Sequence, residues 1–308
     1  MKKVLIFGIA GFVGRYLTQE FLENGYSVSG SDQAEQSELP ADVSVYRTDL
    51  LDMPRVEELI SAVSPDIIVN LAAVSSVGAS WSMPQKTISV NVIGSLNILE
   101  ATKKCSNKPR VLFIGSSEEY ETSEGAIQED MPLNANNPYG ISKVAQERFA
   151  AIYRERYGMP IYYVRAFNHT GIGQSDSFVL PSFCKQAAEI DRSGKPGVIK
   201  VGNLSVERDF SNVKDIVRAY RMIVESEDCK KVYNVGSGKA YRLSDLLVFI
   251  TSLSGQPITI ETDPARYRPA DTQMICCDYQ LIRKQLGWEP EYDIFSTLQE
   301  MYAYYRNK

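Results

Sequence analysis

A phenol and an ammonium four residues apart can move a proton. Tyr139-Gly140-Ile141-Ser142-Lys143 puts Tyr139 and Lys143 at i and i+4, on one face of a helix. Pro138 suits a first helical position, and Asn136 or Asn137 can cap it. Tyr139 is therefore expected at the positive end of a helix dipole. A free tyrosine titrates at about 10. A nearby ammonium and a helix N-terminus both favour phenolate, so its pKa is expected to fall toward working pH. Such a group exchanges a proton with a carbinol oxygen while hydride moves at the carbon. Tyr-x-x-x-Lys also occurs by chance on solvated helix faces. It gains weight from Ser116-Ser117, which follow a predicted strand, Arg110–Gly115. That places hydroxyls at the carboxyl edge of a sheet, where open α/β folds bind ligands.

A second constellation stands at the N-terminus. Gly8-Ile9-Ala10-Gly11-Phe12-Val13-Gly14 joins the first predicted strand to the first predicted helix. Gly8 permits a tight turn, Gly11 lets backbone approach a pyrophosphate, and Gly14 allows close helix–strand packing. Asp32 ends the second strand, roughly 20 residues on, where a carboxylate meets an adenosine ribose. A turn-forming aspartate is the plainer alternative there. Asp49-Leu50 ends the third strand and can flank an adenine. Leu71-Ala72-Ala73 ends the fourth and leaves small side chains where a dinucleotide would lie.

The elements that must position these groups alternate. Strands are expected at Val4–Gly8, Ser27–Ser31, Val43–Arg47, Ile67–Asn70, Arg110–Gly115 and Ile161–Arg165. Helices are expected at Phe12–Asn24, Pro54–Val63, Gln85–Cys105 and Pro138–Tyr157. The pattern implies an α/β fold: a Rossmann-type, doubly wound parallel sheet with helices on both faces. After Arg165, glycines and prolines punctuate the chain, and helices return at Phe178–Arg192, Val213–Glu225, Leu243–Ser252, Tyr279–Leu286 and Ile294–Tyr305. The expected division is a dinucleotide domain over 1–165, with returns near 211–238, and a smaller C-terminal substrate-binding α/β lobe over 166–210 and 239–308.

Composition narrows the partners. The net charge is −5, and no Lys/Arg block suits nucleic acid or an anionic membrane. Cys105, Cys184, Cys229, Cys276 and Cys277 form no CxxC pair, and His169 is the only histidine. No metal site is expected, and reduced thiols are. Met1-Lys2-Lys3 before Val4–Phe7 imitates a leader, but glycines interrupt the apolar run and Arg15 follows. The expectation is a cytoplasmic enzyme.

These residues resemble the extended short-chain dehydrogenase/reductases across essentially the whole chain. Gly115-Ser116-Ser117-Glu118-Glu119-Tyr120 resembles the catalytic strand end of GDP-mannose 4,6-dehydratases and their reductase relatives. Arg165-Ala166-Phe167-Asn168-His169-Thr170-Gly171-Ile172-Gly173-Gln174 and Ser177-Phe178-Val179 resemble segments of GDP-4-keto-6-deoxy-D-mannose reductases. So do Val201–Leu204 leading to Arg208-Asp209-Phe210, and Asp263–Pro269. The resemblance implies Ser116, Tyr139 and Lys143 as catalytic residues, with Glu118 beside them. It implies a GDP-sugar held by Ser75, Ser117, Glu118, Asn168, Val179, Lys185, Arg208 and Arg268. It also implies a homodimer built on the two long helices, whose apolar residues include Ile88, Val92, Leu96, Leu99, Phe149, Ile152 and Tyr153. His169 falls near the nicotinamide end without an acid/base role.

Two positions depart from the pattern. Glu121 replaces the usual glycine after Tyr120, and Asp32 stands where many NADPH-using reductases carry arginine. NAD(H) is thus the favoured cofactor, with NADP(H) as the alternative. The leading expectation is a reductase that delivers hydride to C4 of a GDP-4-keto-6-deoxyhexose, giving GDP-D-rhamnose or its talo epimer, with a heptose analogue also open. A dehydratase or 4-epimerase that recycles a retained cofactor is the alternative. The GDP-fucose type of epimerase-reductase fits less well, since Glu118 stands where those relatives carry cysteine. A non-catalytic dinucleotide sensor would not need Ser116, Tyr139 and Lys143.

Overall fold

The computed structural model describes residues 1–33, 39–121, 125–228, 231–263 and 272–308. The chain opens as β1 (Lys3–Phe7), α1 (Phe12–Glu23), β2 (Ser27–Asp32), β3 (Ser44–Arg47), α2 (Met53–Val63) and β4 (Ile67–Asn70). It continues through α3 (Val77–Ser82), α4 (Pro84–Ile88), a π-helical turn (Ser89–Ile93) and α5 (Gly94–Lys103). Then come β5 (Arg110–Ser116), a 3-10 turn (Ser117–Glu119), β6 (Ala126–Ile127), α6 (Pro138–Tyr157) and β7 (Ile161–Ala166). The remainder comprises β8 (Asn168–Thr170), α7 (Val179–Ser193), β9 (Gly197–Val201), β10 (Glu207–Asn212), α8 (Val213–Glu225), β11 (Val232–Val235), β12 (Ala240–Arg242), α9 (Leu243–Ser252), β13 (Ile258–Thr262), β14 (Met274–Cys277), α10 (Gln280–Leu286) and α11 (Ile294–Asn307).

Seven strands pair in parallel in the order β11-β7-β5-β4-β1-β2-β3. Both faces are covered, and β1 shows why its residues are continuously apolar. Val4 and Ile6 enter the core shared with Leu17 and Phe21 of α1 and Ile216 and Tyr220 of α8. Leu5 and Phe7 enter the opposite core, with Leu59 and Ile60 of α2 and Ile98 of α5. One strand thus feeds two layers, as a doubly wound sheet requires. The expected α/β class is what the chain adopts.

The predicted helix over 85–105 differs in detail. It starts at Pro84, ends at Lys103, and passes through the π turn at Ser89–Ile93. Its apolar residues also divide. Val92 is 7% exposed and Leu99 1%, so both belong to the protein's own core, whereas Ile152 on α6 is 54% exposed.

The C-terminal elements build a separate layer. β10 pairs with β12, β14 and β8, and β14 pairs with β6. Leu180, Phe183 and Ala187 of α7 pack with Leu246 and Ile250 of α9 and Leu298 of α11 in a core of their own. Among the described residues, no helix is long and apolar enough to cross a membrane.

Candidate active site

A cavity of about 1060 Å³ runs from the glycine loop, past the carboxyl ends of β4 and β5, into the C-terminal layer. At one end, Gly8 adopts φ +83, and a Cβ there would come 2.8 Å from the Ala72 backbone nitrogen. A Cβ at Gly14 would sit 2.4 Å from the carbonyl oxygens of both Gly8 and Ile9. These two positions let α1 press its first turn onto the loop. Gly11 is the N-cap of α1, among the described residues no side chain caps that end, and its first turn carries no acidic residue. Free N–H groups and the helix dipole therefore face the cavity together with Gly11, Phe12 and Val13, an arrangement that suits a pyrophosphate.

Asp32 lines the same end. Its Oδ2 accepts the Ala10 N–H at 3.0 Å, so it also pins the loop. Asp49, Leu50, Leu71, Ala72, Ala73 and Ser75 complete the wall. Asp49 is held in a local turn by the Leu51 N–H at 2.9 Å.

At the centre stand Ser116, Glu118, Tyr139 and Lys143. Asn137 caps α6, its Oδ1 accepting the Gly140 N–H at 2.9 Å. Its Nδ2 donates to Glu118 Oε2 at 2.8 Å, so one residue holds both the helix and the carboxylate. Gly140 allows this contact, since a Cβ would come 2.2 Å from the Glu118 carbonyl oxygen. The Tyr139 N–H donates to Ser80 Oγ of α3 at 3.2 Å. The Ser116 hydroxyl lies near enough to the Tyr139 phenol to lower its pKa, and its Oγ accepts the Glu118 N–H at 3.2 Å.

The expected fall in the Tyr139 pKa is not what the geometry gives. Burial pushes the phenol well up; the Ser116 hydroxyl lowers it, and Glu119 and Glu118 raise it. Lys143 does not offset this. Its Nζ lies over the ring face, 5.8 Å from the centroid, and donates to the Ile114 carbonyl at 2.6 Å. Burial lowers Lys143 to about 8, against a raising influence from Glu119. With its pKa raised, Tyr139 keeps its proton at neutral pH.

The far arm is lined by Asn168, Val179 and Arg208. The Arg208 Nη1 donates to the Glu207 carbonyl at 2.8 Å. His169 stacks on Phe12 with centroids 6.3 Å apart and donates through Nδ1 to the Phe167 carbonyl at 3.0 Å. Burial lowers its pKa, so it stands neutral with Nε2 as an acceptor. Two residues proposed for substrate stand elsewhere. Ser117 is buried and does not reach the cavity wall. Lys185 pairs with Asp176 at 2.6 Å in a separate hollow beside Arg15 and Tyr305. Arg268 lies outside the described residues, as does Cys229.

The sequence reading missed several contributors. Asn91, in the π turn, clamps Val74 through both its amide groups and donates to Ser142 Oγ at 2.9 Å. Gln146 bridges Ser95 at 2.6 Å and Lys143 at 3.4 Å. Tyr220 of α8 lines the cavity fully buried, its hydroxyl without a hydrogen-bond partner among the described residues. Asn91 alone gave a signal, as a polar residue inside an apolar helix pattern.

The family model described as GDP-mannose 4,6 dehydratase matches residues 5–301. GDP-6-deoxy-D-mannose reductase of Pseudomonas aeruginosa is 30% identical over 300 residues, covering 96% of this chain and 95% of that protein. GDP-mannose 4,6-dehydratase of Yersinia enterocolitica is 28% identical over 349 residues, covering 98% and 93%. The solved structure of RMD from Pseudomonas aeruginosa complexed with NADPH superposes with a TM-score of 0.86 at 27% identity, covering 100% of this chain and 98% of that one. With its glycine loop, its Ser116–Tyr139–Lys143 cluster and matches across nearly its whole length, this chain belongs to the GDP-mannose 4,6-dehydratase family of extended short-chain dehydrogenase/reductases.

Proposed function

We propose that the protein is an NAD(P)H-dependent reductase of the C4 keto group of a GDP-linked 4-keto-6-deoxyhexose, with GDP-4-keto-6-deoxy-D-mannose the leading substrate. The observation that carries the reading is the single cavity, which joins a bare helix N-terminus, a serine–tyrosine–lysine cluster and a second arm in the C-terminal layer. The arm over 166–210 and 239–308 takes the nucleotide sugar against Asn168, Val179 and Arg208.

The reduced nicotinamide supplies a hydride when bound. The chain supplies the rest. Ser116 donates to the C4 carbonyl oxygen and orients it. Tyr139 gives its proton to O4 as the carbonyl becomes an alcohol. A phenol protonated at neutral pH is the form a reducing enzyme needs as its acid. Lys143 has three N–H bonds. Ile114 and Gln146 engage two, and the third serves the nicotinamide ribose. Asp32 meets the adenosine ribose, and its charge disfavours a 2′-phosphate, so NADH is the preferred reductant.

The relatives favour reduction over dehydration. The alignment to the Pseudomonas reductase spans 300 positions. That to the Yersinia dehydratase spans 349, more than the chain's own 308 residues, so the dehydratase carries insertions that this chain lacks. One observation keeps dehydration as a second reading. Glu118 lines the cavity, held by Asn137, where a carboxylate can take a C5 proton. The test is GDP-mannose with no added cofactor. Accumulation of the 4-keto-6-deoxy sugar would make Glu118 a catalytic base and end the reductase reading. No reaction there, with one NAD(P)H oxidised per keto sugar supplied, supports it. NMR of the product fixes the C4 configuration.

A homodimer is part of the proposal. Trp81 at 56% exposure, Ile141 at 51% and Ile152 at 54% lie with Ile88 and Ile93 on the helices that flank the site. Exposed apolar clusters of this kind mark interfaces. Light scattering at micromolar concentration reads the state directly, and a monomer there removes the dimer.

A further inference from the structure

Behind the cavity, the 3-10 turn after Ser116 drives Glu119 into the protein, where it is fully buried. Its Oε1 accepts the Ser116 N–H at 2.7 Å and lies 3.3 Å from the Tyr163 hydroxyl. Room for the carboxyl exists because residue 115 is glycine; a Cβ there would come 2.3 Å from Oε1. The Tyr163 proton has a better acceptor, the Lys143 carbonyl at 2.8 Å. Oε2 has no hydrogen-bond partner among the described residues.

A second carboxyl, Glu147 of α6, acts on Glu119 by charge repulsion. Both Glu147 oxygens are taken by Arg165, Oε2 by Nε at 2.9 Å and Oε1 by Nη2 at 2.7 Å. The Arg165 Nη1 is occupied as well, by the Tyr120 hydroxyl at 2.6 Å and the Glu129 carbonyl at 2.9 Å. The guanidinium thus pairs with Glu147, and among the described residues no ion pair is formed by Glu119. A fully buried carboxylate with one oxygen unsatisfied is strongly unfavourable, and a second negative charge nearby adds to the cost. One proton removes both difficulties.

We propose that Glu119 is a neutral carboxylic acid, and that it acts as a positioning residue by anchoring the Ser116 backbone beneath Tyr139 and Lys143. Its positioning role rests on the reductive reading of the site; its protonation does not. The groups that face it are Tyr139, Lys143 and Glu147 from α6 and Tyr163 and Arg165 from β7. Burial first, then repulsion from Glu147, holds the carboxyl well above the ordinary 4.5. An ionised Glu119 would raise both Lys143 and Tyr139, so a neutral one leaves the proton relay unburdened.

The sign of the linkage follows. Unfolded, Glu119 titrates at its ordinary value; folded, it keeps its proton to higher pH. Its contribution to stability is complete below about 4.5 and is lost as pH rises through the raised folded value. Glu119→Gln cannot ionise, keeps an acceptor for the Ser116 N–H, and removes this dependence. Denaturant unfolding across the acidic-to-neutral range should show the variant gaining on the wild type by about tenfold in the folding constant per pH unit. Infrared difference spectra should show a protonated-carboxyl C=O stretch that Glu119→Gln abolishes. Glu119→Leu, which leaves the Ser116 N–H unsatisfied, should lower kcat by about tenfold or more at unchanged cofactor affinity, and the glutamine variant should recover most of that loss. A stability gap that does not change with pH, or no carboxyl band lost in Glu119→Gln, overturns the proposal whatever the substrate proves to be. If Glu119→Leu fails to fold, the infrared and stability arms still decide it.

Discussion

Two helices aim their N-termini into one cavity, and they are finished in opposite ways. α6 begins with its first turn supplied by protein partners: Pro138 at its start, the Asn137 side chain on the Gly140 N–H, and Ser80 Oγ of α3 on the Tyr139 N–H. Among the described residues, α1 begins at Gly11 with no side-chain cap. A helix end satisfied from within holds its own residues still, which Tyr139 needs. A helix end left open keeps its N–H groups for a ligand. The same backbone feature thus serves positioning in one place and binding in the other, and the cap residue decides which.

The sharpest way to separate the two is to remove the phenol. Tyr139→Phe leaves the cap, the Ser80 contact and the open α1 end in place. Turnover of the keto sugar should fall by about 10²–10⁴-fold, while calorimetry should find NADH binding nearly unchanged. A variant that keeps most of its kcat removes Tyr139 from the chemistry and leaves α6 as scaffold. Gly14→Ala attacks the other helix. The added methyl would stand 2.4 Å from two backbone carbonyl oxygens, neither of which can swing away. Overpacking of this kind costs about 1–3 kcal/mol. It should appear as lost stability and weaker cofactor binding together, and an unaffected cofactor Kd would detach α1 from the pyrophosphate.

How much of this could be read beforehand differs between the same regions. α6 was legible to its ends because Asn137-Pro138 starts it and Gly158, in the left-handed conformation, stops it. β1 and the glycine loop were legible because burial on both faces demands an unbroken apolar run. The C-terminal layer was not. β10 reads Glu-Arg-Asp-Phe-Ser-Asn, yet five of its six residues are buried. Its polar groups are satisfied by distant partners, as when Asp209 accepts from Ser237, Gly238 and Cys277. Such partners share no local spacing, so no periodicity announces the strand. The π turn around Asn91 hid for a related reason, since one widened turn leaves the apolar pattern of a helix intact. Glu119 hid because a glutamate beside another glutamate reads as a solvated turn until the fold supplies Glu147 and Arg165.

Asp32 gives a smaller and more selective effect. The carboxylate both pins the Ala10 N–H and faces the adenosine end of the cavity. Asp32→Asn keeps an acceptor for Ala10 but drops the charge. The ratio of kcat/KM for NADH over NADPH should fall by about tenfold, roughly 1.4 kcal/mol, with little loss of stability. A wild-type preference for NADPH would reassign Asp32 to holding the loop alone.

The smallest effect separates the two duties of Asn137, and with them the two readings of Glu118. Its Oδ1 caps α6 and its Nδ2 holds the Glu118 carboxylate. Asn137→Ala removes both, and loss of the cap alone should cost about 1 kcal/mol of stability in denaturant unfolding. Asn137→Ser restores a capping oxygen but is too short to carry the amide that reaches Glu118, so its stability should return to within a few tenths of a kcal/mol of the wild type. Turnover then discriminates. If the carboxylate only lines the centre of the cavity, the serine variant should reduce the keto sugar about as fast as the wild type, because the capped helix still presents Tyr139. If Glu118 is a base that removes a proton from C5, its orientation matters at that transition state, and the serine variant should dehydrate GDP-mannose more slowly than the wild type despite its recovered stability. A wild type that dehydrates GDP-mannose and a stable Asn137→Ser enzyme that does so slowly would therefore move the capped helix from a support for one acid to a support for an acid and a base, and would shift the reading from reduction toward dehydration.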